Sequence, residues 1–406
     1  MEPLLFLVHR IPFPPNKGDK IRSHHLLRHL AQRYAVHLGT FADAAEDMAY
    51  VPELAPFTKS YHVEPLDPRA ARLRSVTAFL TGEALTLPYY RSAALQRWVR
   101  RTVAEQGIRK AVVFSGAMAQ YVRGLDLHVV LDFVDVDSAK WSQYADHHSW
   151  PSSFVYRREG VRLLSFERGA AACSASSVFV TRGEAELFER LAPECKSRVH
   201  VIEMGVDTQY FSPDAKRVSP FAAGEAAIVF TGAMDYWPNI DAAVWFAQEI
   251  MPKVRSVRPD ARFYAVGMRP AAAVSRLADA SATVVTGKVD DVRPYLQHAS
   301  VVVAPLRVAR GIQSKVLEAM AMARPVVTTA AAGRSIRSVA GREFETASEA
   351  DEFAQKVVAL LGGAVAQAMG QRARQHVIAE YNWERNLADY DALIAGPGQA
   401  SAREAV

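Results

Sequence analysis

The chain has 406 residues, of which 50% are hydrophobic and 22% charged, with a formal net charge of +5 and two cysteines. That length accommodates two α/β domains with separate cores, and the composition excludes a disordered, collagenous or disulfide-scaffold protein. Two thiols, Cys173 and Cys195, in so long a chain point to a reducing cytosol.

PLLFLVH, near the amino terminus, lacks a basic flank and a small-residue cleavage site, so no secretory signal is expected. No apolar stretch approaches the roughly 20 residues that a membrane-spanning helix needs. LLFLVHR reads as a first strand, PFPPNKGD as a loop, and about Lys20 to Tyr34 as a helix with Asp19 as its N-cap. His24 and His25 open that helix and are expected to be exposed polar side chains. Between Arg69 and Lys110 stand nine basic residues against two acidic ones, a local excess larger than the net charge of the chain. Phe79, Leu80, Leu85, Leu87, Tyr89, Tyr90 and Trp98 are interleaved with them. This mixture suits an anionic membrane face; a solvated helix face over core aromatics is the alternative. No nucleic-acid motif accompanies it, so no nucleic-acid partner is expected.

VHLGTF, KAVVFS, HVVLDFVD and SSVFVT read as further strands, separated by helical stretches, which means a parallel sheet of βαβ units. Asp135 and Asp137 follow one of these strands. An Asp-x-Asp there either holds a divalent cation, orients ligand hydroxyls or caps the next helix. The helix EGVRLLSFERGAAA reads as core-packed with a polar face that includes Glu167 and Arg168. Residues 204–225 are rich in Pro, Gly, Ser and Asp and look like a connection between domains.

The alternation then restarts. AIVFTG is a strand, DYWPN a turn, and IDAAVWFAQEIMPKV a helix with Asn239 as N-cap; RFYAVG, TVVTG and SVVVAPL are strands. The most informative segment is 300–329, a buried strand, a basic glycine-bearing loop, a helix from Ile312 to Ala323, and a strand restarting after Pro325. Arg307, Arg310, Gly311 and Lys315 fall where the strand's carboxyl end meets the helix amino terminus. Backbone amides and the helix dipole favour phosphate there, and cations add to it. Glu318 is one turn on, on the face of Lys315, suited to accept hydrogen bonds from two ribose hydroxyls; a solvent-facing helical ion pair is the alternative. The fold class that follows is α/β, two doubly wound domains with ligands outside the strands' carboxyl ends. The expected boundaries are 1–205, a linker 206–225, 226–380, and a last helix with a loose tail, 381–406, a candidate to return to the first domain.

These segments together resemble the retaining glycosyltransferases of the GT-B fold in the large fourth family. The likeness is closest to the bacterial sugar transferases of exosortase and PEP-CTERM exopolysaccharide systems. RIPFPPNKGDKIRSHHLL is similar to the family's amino-terminal glycine loop, LDFVDVDSAKWSQYAD to the loop facing the reacting sugar, and GVDTQYFSP to the joining segment. FTGAMDYWPNIDAAVWF resembles the first carboxy-domain unit, and TGKVDDVRPYLQHASVVVAPL with GIQSKVLEAMAMARPVV the donor-binding core. The resemblance implies two Rossmann-like domains facing across a cleft, a nucleotide-diphospho-sugar donor, a lipid-linked or saccharide acceptor, and no required metal or other cofactor. It implies a cytoplasmic enzyme, peripheral to the inner membrane face where the basic-aromatic stretch attaches. By similarity, Glu318 binds the donor ribose, Val289 borders the base, Gly311, Ile312 and Lys315 contact the diphosphate, and Gly18 approaches it from the first domain. Gly232 and Gly267, closing two strands, complete the candidate donor set. Asp135, Lys315 and Arg310 are the candidate catalytic residues.

Two departures stand out. Where many relatives carry a first glutamate seven residues before the second, Arg310 occurs, so the sugar is not specified. The loop GAMDYWPN lacks the relatives' Arg and Lys; Lys315 and Arg310 are the first replacements, then Arg10, Lys17 and Arg269. A nucleotide-sugar epimerase of the same fold and a catalytically inactive nucleotide-sugar-binding protein remain the alternatives.

Overall fold

Leu4, Leu5, Phe6, Leu7 and Val8 have no exposed surface, as befits a strand covered on both faces. They lie in β1 (Glu2–Val8), in a computed structural model that describes residues 1–15, 18–146, 148–279, 281–309 and 311–396. The remaining strands of this first sheet are β2 (Tyr34–Ala42), β3 (Ser60–Pro65), β4 (Lys110–Phe114), β5 (His128–Val134), β6 (Ser176–Phe179) and β7 (Val199–Val201). Their order is β3-β2-β1-β4-β5-β6-β7, and every pairing is parallel. The chain changes direction across the sheet between β1 and β4, so their carboxyl ends flank the crevice where such sheets take ligands.

The helices that matter in this unit are α1 (Gly18–Ala31), α2 (Pro68–Ser75), α3 (Ala78–Thr81), α4 (Asp137–Asp146) and α5 (Ser152–Cys173). Two expectations are corrected here. The first helix ends at Ala31, and Tyr34 already pairs with Glu2 as the start of β2. Asp19 is not an N-cap: it lies inside the first turn, and its carboxylate accepts Arg10 Nη1 at 2.7 Å. The ion pair is the stronger claim on a carboxylate that is largely shielded from water.

The chain divides into two units, Met1–Glu203 with the segment from Glu384 onward, and Met204–Trp383. Within the first unit, Tyr390 on the C-terminal helix (Trp383–Ala395) meets the fully buried pair Arg22 and Asp132. Asp391 accepts from His29 at 3.0 Å and from Arg33 at 2.9 Å, and His128 Nε2 lies 2.7 Å from the Leu393 carbonyl.

The second unit holds β8 (Ala226–Thr231), β9 (Ala261–Val266), β10 (Thr283–Gly287), β11 (Val301–Ala304), β12 (Val326–Thr328) and β13 (Glu345–Thr346), ordered β10-β9-β8-β11-β12-β13. All its pairings are parallel as well. Ile228 and Phe230 pack into the core on one face while Ala227 and Val229 pack into the core on the other. Val301 and Val303 against Val302 and Ala304 divide likewise, the period-two signature of a strand between two helical layers. Residues 204–225 are built into this unit: Val206 N–H donates to the Tyr381 carbonyl at 2.9 Å, and Phe211 and Phe221 pack on its core. The α/β reading is thus the observed one, two parallel sheets of seven and six strands. The short strands β3, β7 and β13 have no counterpart in the sequence reading.

Candidate functional site

In the second unit the topological switch falls between β8 and β11, the two central strands. The loop after β8 leads into α6 (Trp237–Trp245), and the loop after β11 leads into α7 (Ser314–Ala321). One contact joins the two loops: Lys315 Nζ donates to Asn239 Oδ1 at 2.6 Å. Asn239 in turn donates Nδ2–H to the Ala233 carbonyl at 2.9 Å. This corrects the expected N-cap. Asn239 lies within the first turn of α6, and its amide braces the lysine across the switch point.

The glycines explain how the loops come so close. A Cβ on Gly232 would stand 2.7 Å from Asn239 Nδ2 and 3.1 Å from Lys315 Nζ. A Cβ on Gly267 would stand 1.6 Å from the Gly232 carbonyl oxygen. No side chain fits at either position without moving the backbone or the lysine. Gly311 has φ +60°, a conformation glycine adopts without penalty, and so turns the chain into α7. Ile312 and Val289 are partly buried against the core beneath, so their side chains anchor the loops.

The two charged residues of α7 share a water-poor environment. Its opposite face, with Val316, Leu317, Ala319 and Met320, is sealed in the core. Burial pushes the Lys315 ammonium down to about 8 against the upward pull of Glu318, and its Nζ lies 4.7 Å over the Phe230 ring. Burial pushes Glu318 up to about 7, opposed by Lys315 and by a hydrogen bond from Ser314. Both groups therefore sit near their titration points at neutral pH, and a ligand that supplies counter-charge or hydroxyl donors fixes their state.

The other expected cations are distributed differently. Arg307 is turned away to α6, where Nε donates to Asp241 Oδ2 at 3.0 Å and the guanidinium lies 5.5 Å over Trp245. Its expected place in the phosphate cluster is thereby corrected, because Asp241 and the indole outcompete an open loop. Arg269 pairs with Asp235 at 2.9 Å and so brings a cation from the β9 loop to the loop GAMDYWPN, which has none of its own. Arg310 and Lys17 lie outside the described residues.

In the first unit, Asp135 and Asp137 flank Lys140, whose Nζ lies 2.8 Å and 3.1 Å from their carboxylates. That ammonium already supplies the counter-charge a divalent cation would bring. Among the described residues no three His, Cys, Asp or Glu side chains gather as metal ligands. Asp135 Oδ1 is buried without a hydrogen-bond partner, which leaves one acceptor for a hydroxyl. Val134 just before it has φ +68°, a costly conformation for a β-branched residue, and it redirects the chain at the end of β5. Nothing stands within 4 Å of a Cβ on Gly18, so packing makes no demand for glycine there. Arg10 is held by Asp19 and by Asp43, each at 2.7 Å.

Sequence reasoning missed His9. It follows β1 at the switch point of the first sheet, stacks on Phe114 at 5.9 Å, and meets Asp19 at 3.2 Å, with Nδ1 buried and without a partner. Its position at the end of the central strand was the available signal. His24 is corrected from exposed to buried: it packs edge-on to Phe13 at 4.7 Å, and burial with nearby Arg28 lowers it to about 4. Glu167, read with a polar face, is also buried; it accepts from the Ser138 N–H at 3.2 Å and rises to about 8 through burial and Asp137.

Residues 225–362 match the family described as Glycosyl transferases group 1, a span that contains Gly232, Asn239, Gly267, Lys315 and Glu318. This segment is similar to group 1 glycosyltransferase domains. Over nearly the whole chain the fold is that of solved GT-B proteins. The sucrose-phosphate synthase of Thermosynechococcus elongatus is 16% identical with a TM-score of 0.70, over 96% of this chain and 98% of that one. Anabaena HepE, solved in complex with UDP and glucose, is 14% identical with a TM-score of 0.69, over 96% and 98%. WaaG, a glycosyltransferase involved in lipopolysaccharide biosynthesis, is 15% identical with a TM-score of 0.66, over 97% and 100%. No curated protein matches the chain. Within the matched segment the Lys315–Asn239 bridge spans the topological switch of its sheet, the place where open parallel sheets take ligands.

Proposed function

We propose that this protein transfers a sugar, with retention, from a nucleotide-diphospho-sugar to a lipid-linked or saccharide acceptor in bacterial exopolysaccharide assembly. The observation that carries the reading is the Lys315 and Glu318 pair at the switch point of the group 1 domain. HepE, of the same fold, is solved with UDP-glucose, and WaaG serves lipopolysaccharide synthesis, which supports the donor class and the kind of pathway. The closeness to PEP-CTERM-associated transferases and to the fourth family belongs to this proposal.

In this reading the ribose hydroxyls donate to Glu318, and the amides around Gly311 and Ile312 with the Lys315 ammonium hold the diphosphate. As the sugar–phosphate bond breaks, negative charge grows on the leaving diphosphate, and groups already aimed at it stabilise the transition state. Retention follows when the acceptor oxygen attacks the face from which the diphosphate departs and gives its proton to that phosphate. The bond from the anomeric carbon to the phosphate oxygen breaks, and the bond to the acceptor oxygen forms. The unpartnered Asp135 Oδ1 is the acceptor that this reading assigns to a sugar hydroxyl. No step requires a metal.

A panel of nucleotide sugars incubated with the protein and a lipid extract tests this. The expected result is release of nucleoside diphosphate with formation of a glycosylated lipid or saccharide whose anomeric configuration matches the donor's. Isomerised donor with no acceptor consumed, or binding without turnover, would overturn it.

The pair also predicts a pH dependence of donor affinity. Hydroxyl donors favour ionised Glu318, so affinity falls as pH drops below about 7. The diphosphate favours protonated Lys315, so affinity falls as pH rises above about 8. Each limb approaches about tenfold per pH unit. Calorimetric titration with an intact nucleotide sugar reads it cleanly, because diester phosphates do not titrate in this range. Glu318→Gln is expected to abolish the acid limb and, by removing the pull that holds Lys315 up, to move the basic limb to lower pH, and a wild-type profile flat from pH 6 to 9 would contradict the assignment.

A further inference from the structure

The strongest unassigned feature of the molecule is an outward apolar stripe in the first unit. Helices α2 and α3 run almost without a break, since Val76 N–H bonds to the Leu73 carbonyl, Thr77 to Arg74, Phe79 to Val76 and Leu80 to Thr77. Small residues at helical spacing, Ala71, Ser75 and Ala78, are buried on the inner side. On the outer side stand Leu73, 75% exposed, Val76, and Leu80, 91% exposed, at i, i+3 and i+7. A helix with its large apolar residues outward and its small ones inward inverts the pattern of an ordinary surface helix.

The start of α5 continues the same surface. Arg158 Nη2 donates to the Ala78 carbonyl at 2.7 Å, Nη1 donates to the Glu83 carbonyl at 3.2 Å, and the guanidinium lies 4.7 Å over the Phe79 ring. Those contacts fix the first turns of α5 against α3. One turn earlier Phe154 is exposed, and just before the helix Trp150 is 81% exposed. The charges around these side chains are one-sided. Arg69, Arg72, Arg157 and Arg162 are exposed and make no ion pair among the described residues, whereas Arg91 is neutralised by Glu83 at 2.6 Å.

We infer that this face, built from Leu73, Val76, Leu80, Trp150 and Phe154 with Arg69 and Arg72 beside them, seats the protein on an anionic bilayer surface. Leucine, phenylalanine and tryptophan enter the acyl boundary while arginines meet the headgroup phosphates, the arrangement of an interfacial helix. Among the described residues no single helix is long and apolar enough to cross a membrane. A protein partner would satisfy the apolar stripe but leaves the unpaired arginines without a reason. The inference deepens the lipid-linked acceptor proposed above and rests on that reading, since it brings the enzyme to where such an acceptor lies.

Vesicle flotation of the full chain decides it. The protein is expected to float with phosphatidylglycerol-containing vesicles, to float poorly with phosphatidylcholine alone, and to be released by salt. Leu73→Ser with Leu80→Ser removes two inserting side chains and is expected to weaken binding by at least about tenfold, and Arg69→Glu with Arg72→Glu to weaken it by at least as much. The substituted side chains are exposed, so an unchanged melting temperature certifies the fold. No flotation on either vesicle, equal flotation on both, or undiminished binding by the double variants would overturn the inference. So would wild-type dimers abolished by the serine substitutions, which would assign the stripe to a second copy. Sugar transfer to a detergent-solubilised acceptor is measured in parallel. Lost flotation with intact transfer counts against this surface alone; flotation without transfer counts against the proposed activity alone.

Discussion

Lys315→Met is expected to lower kcat by about 10²–10³-fold, the range seen when one preorganised donor to a developing anion is removed. The lysine is aimed by Asn239, rests over Phe230, and carries an ammonium whose charge burial disfavours. In the proposed reaction, charge growing on the leaving diphosphate relieves that penalty, so the interaction would strengthen as the bond breaks and the loss is expected to fall on kcat more than on KM. Methionine has nearly the same length and packs against the same ring; the Asn239 oxygen loses its donor, and Glu318, without its counter-charge, stays protonated to higher pH rather than carrying an unpaired charge. The melting temperature is therefore expected to hold within a few degrees while activity collapses. Steady-state kinetics beside a thermal melt separates the two effects. A variant whose kcat stays within about threefold of the parent would remove Lys315 from the chemistry.

Asp132→Ala is expected to destabilise the first unit by about 3–5 kcal/mol, because it strands the Arg22 guanidinium in a water-free interior. Both side chains are fully buried; Arg22 Nε donates to Asp132 Oδ2 at 2.9 Å, and Nη2 donates to the Tyr390 hydroxyl at 3.1 Å. The Tyr390 hydroxyl donates in turn to the same carboxylate. This is what pins the last helix to the sheet that begins the chain. Burial raises the tyrosine well above its ordinary range, so its proton stays in place at any working pH. Tyr390→Phe removes two hydrogen bonds, one from Arg22 and one to Asp132, but leaves the buried ion pair intact, and is expected to cost about 2 kcal/mol. Denaturant unfolding read on the first unit, with protease cleavage near Trp383 as a local probe, checks both. Equal small losses for the two substitutions would show that the buried charge is solvated by some other route.

How much of this was legible beforehand varied with the range of the interaction. The runs LLFLV, AVVF, AIVF and VVVA announced strands buried on both faces because period and burial are written into consecutive residues. Gly232, Gly267, Gly311, Lys315 and Glu318 were picked out by their positions at strand ends and at one helix start. The roles of Asn239 and Asp19 were not. Each has the sequence context of a cap, yet each serves a partner 76 and 9 residues away, Lys315 and Arg10. His24 and Glu167 read as polar surface and are buried, because a helix's inner face is set by what packs on it. Arg307 looked like part of a phosphate cluster until Asp241, on the neighbouring helix, claimed it.

By itself, then, the chain determined the βαβ alternation, the restart after residue 225, the likeness of its second half to group 1 glycosyltransferases and the strand-to-helix turns at the sheet's switch point. These depend on local period, turn chemistry and helix termini, which neighbouring residues dictate. Only the tertiary structure decided which cations face a crevice and which are spent on carboxylates, how Gly267 lets one loop touch another, and that Leu73 and Leu80 face outward. Those outcomes depend on distances between residues far apart in sequence, and on burial, which changes the worth of every charge and methyl group it reaches.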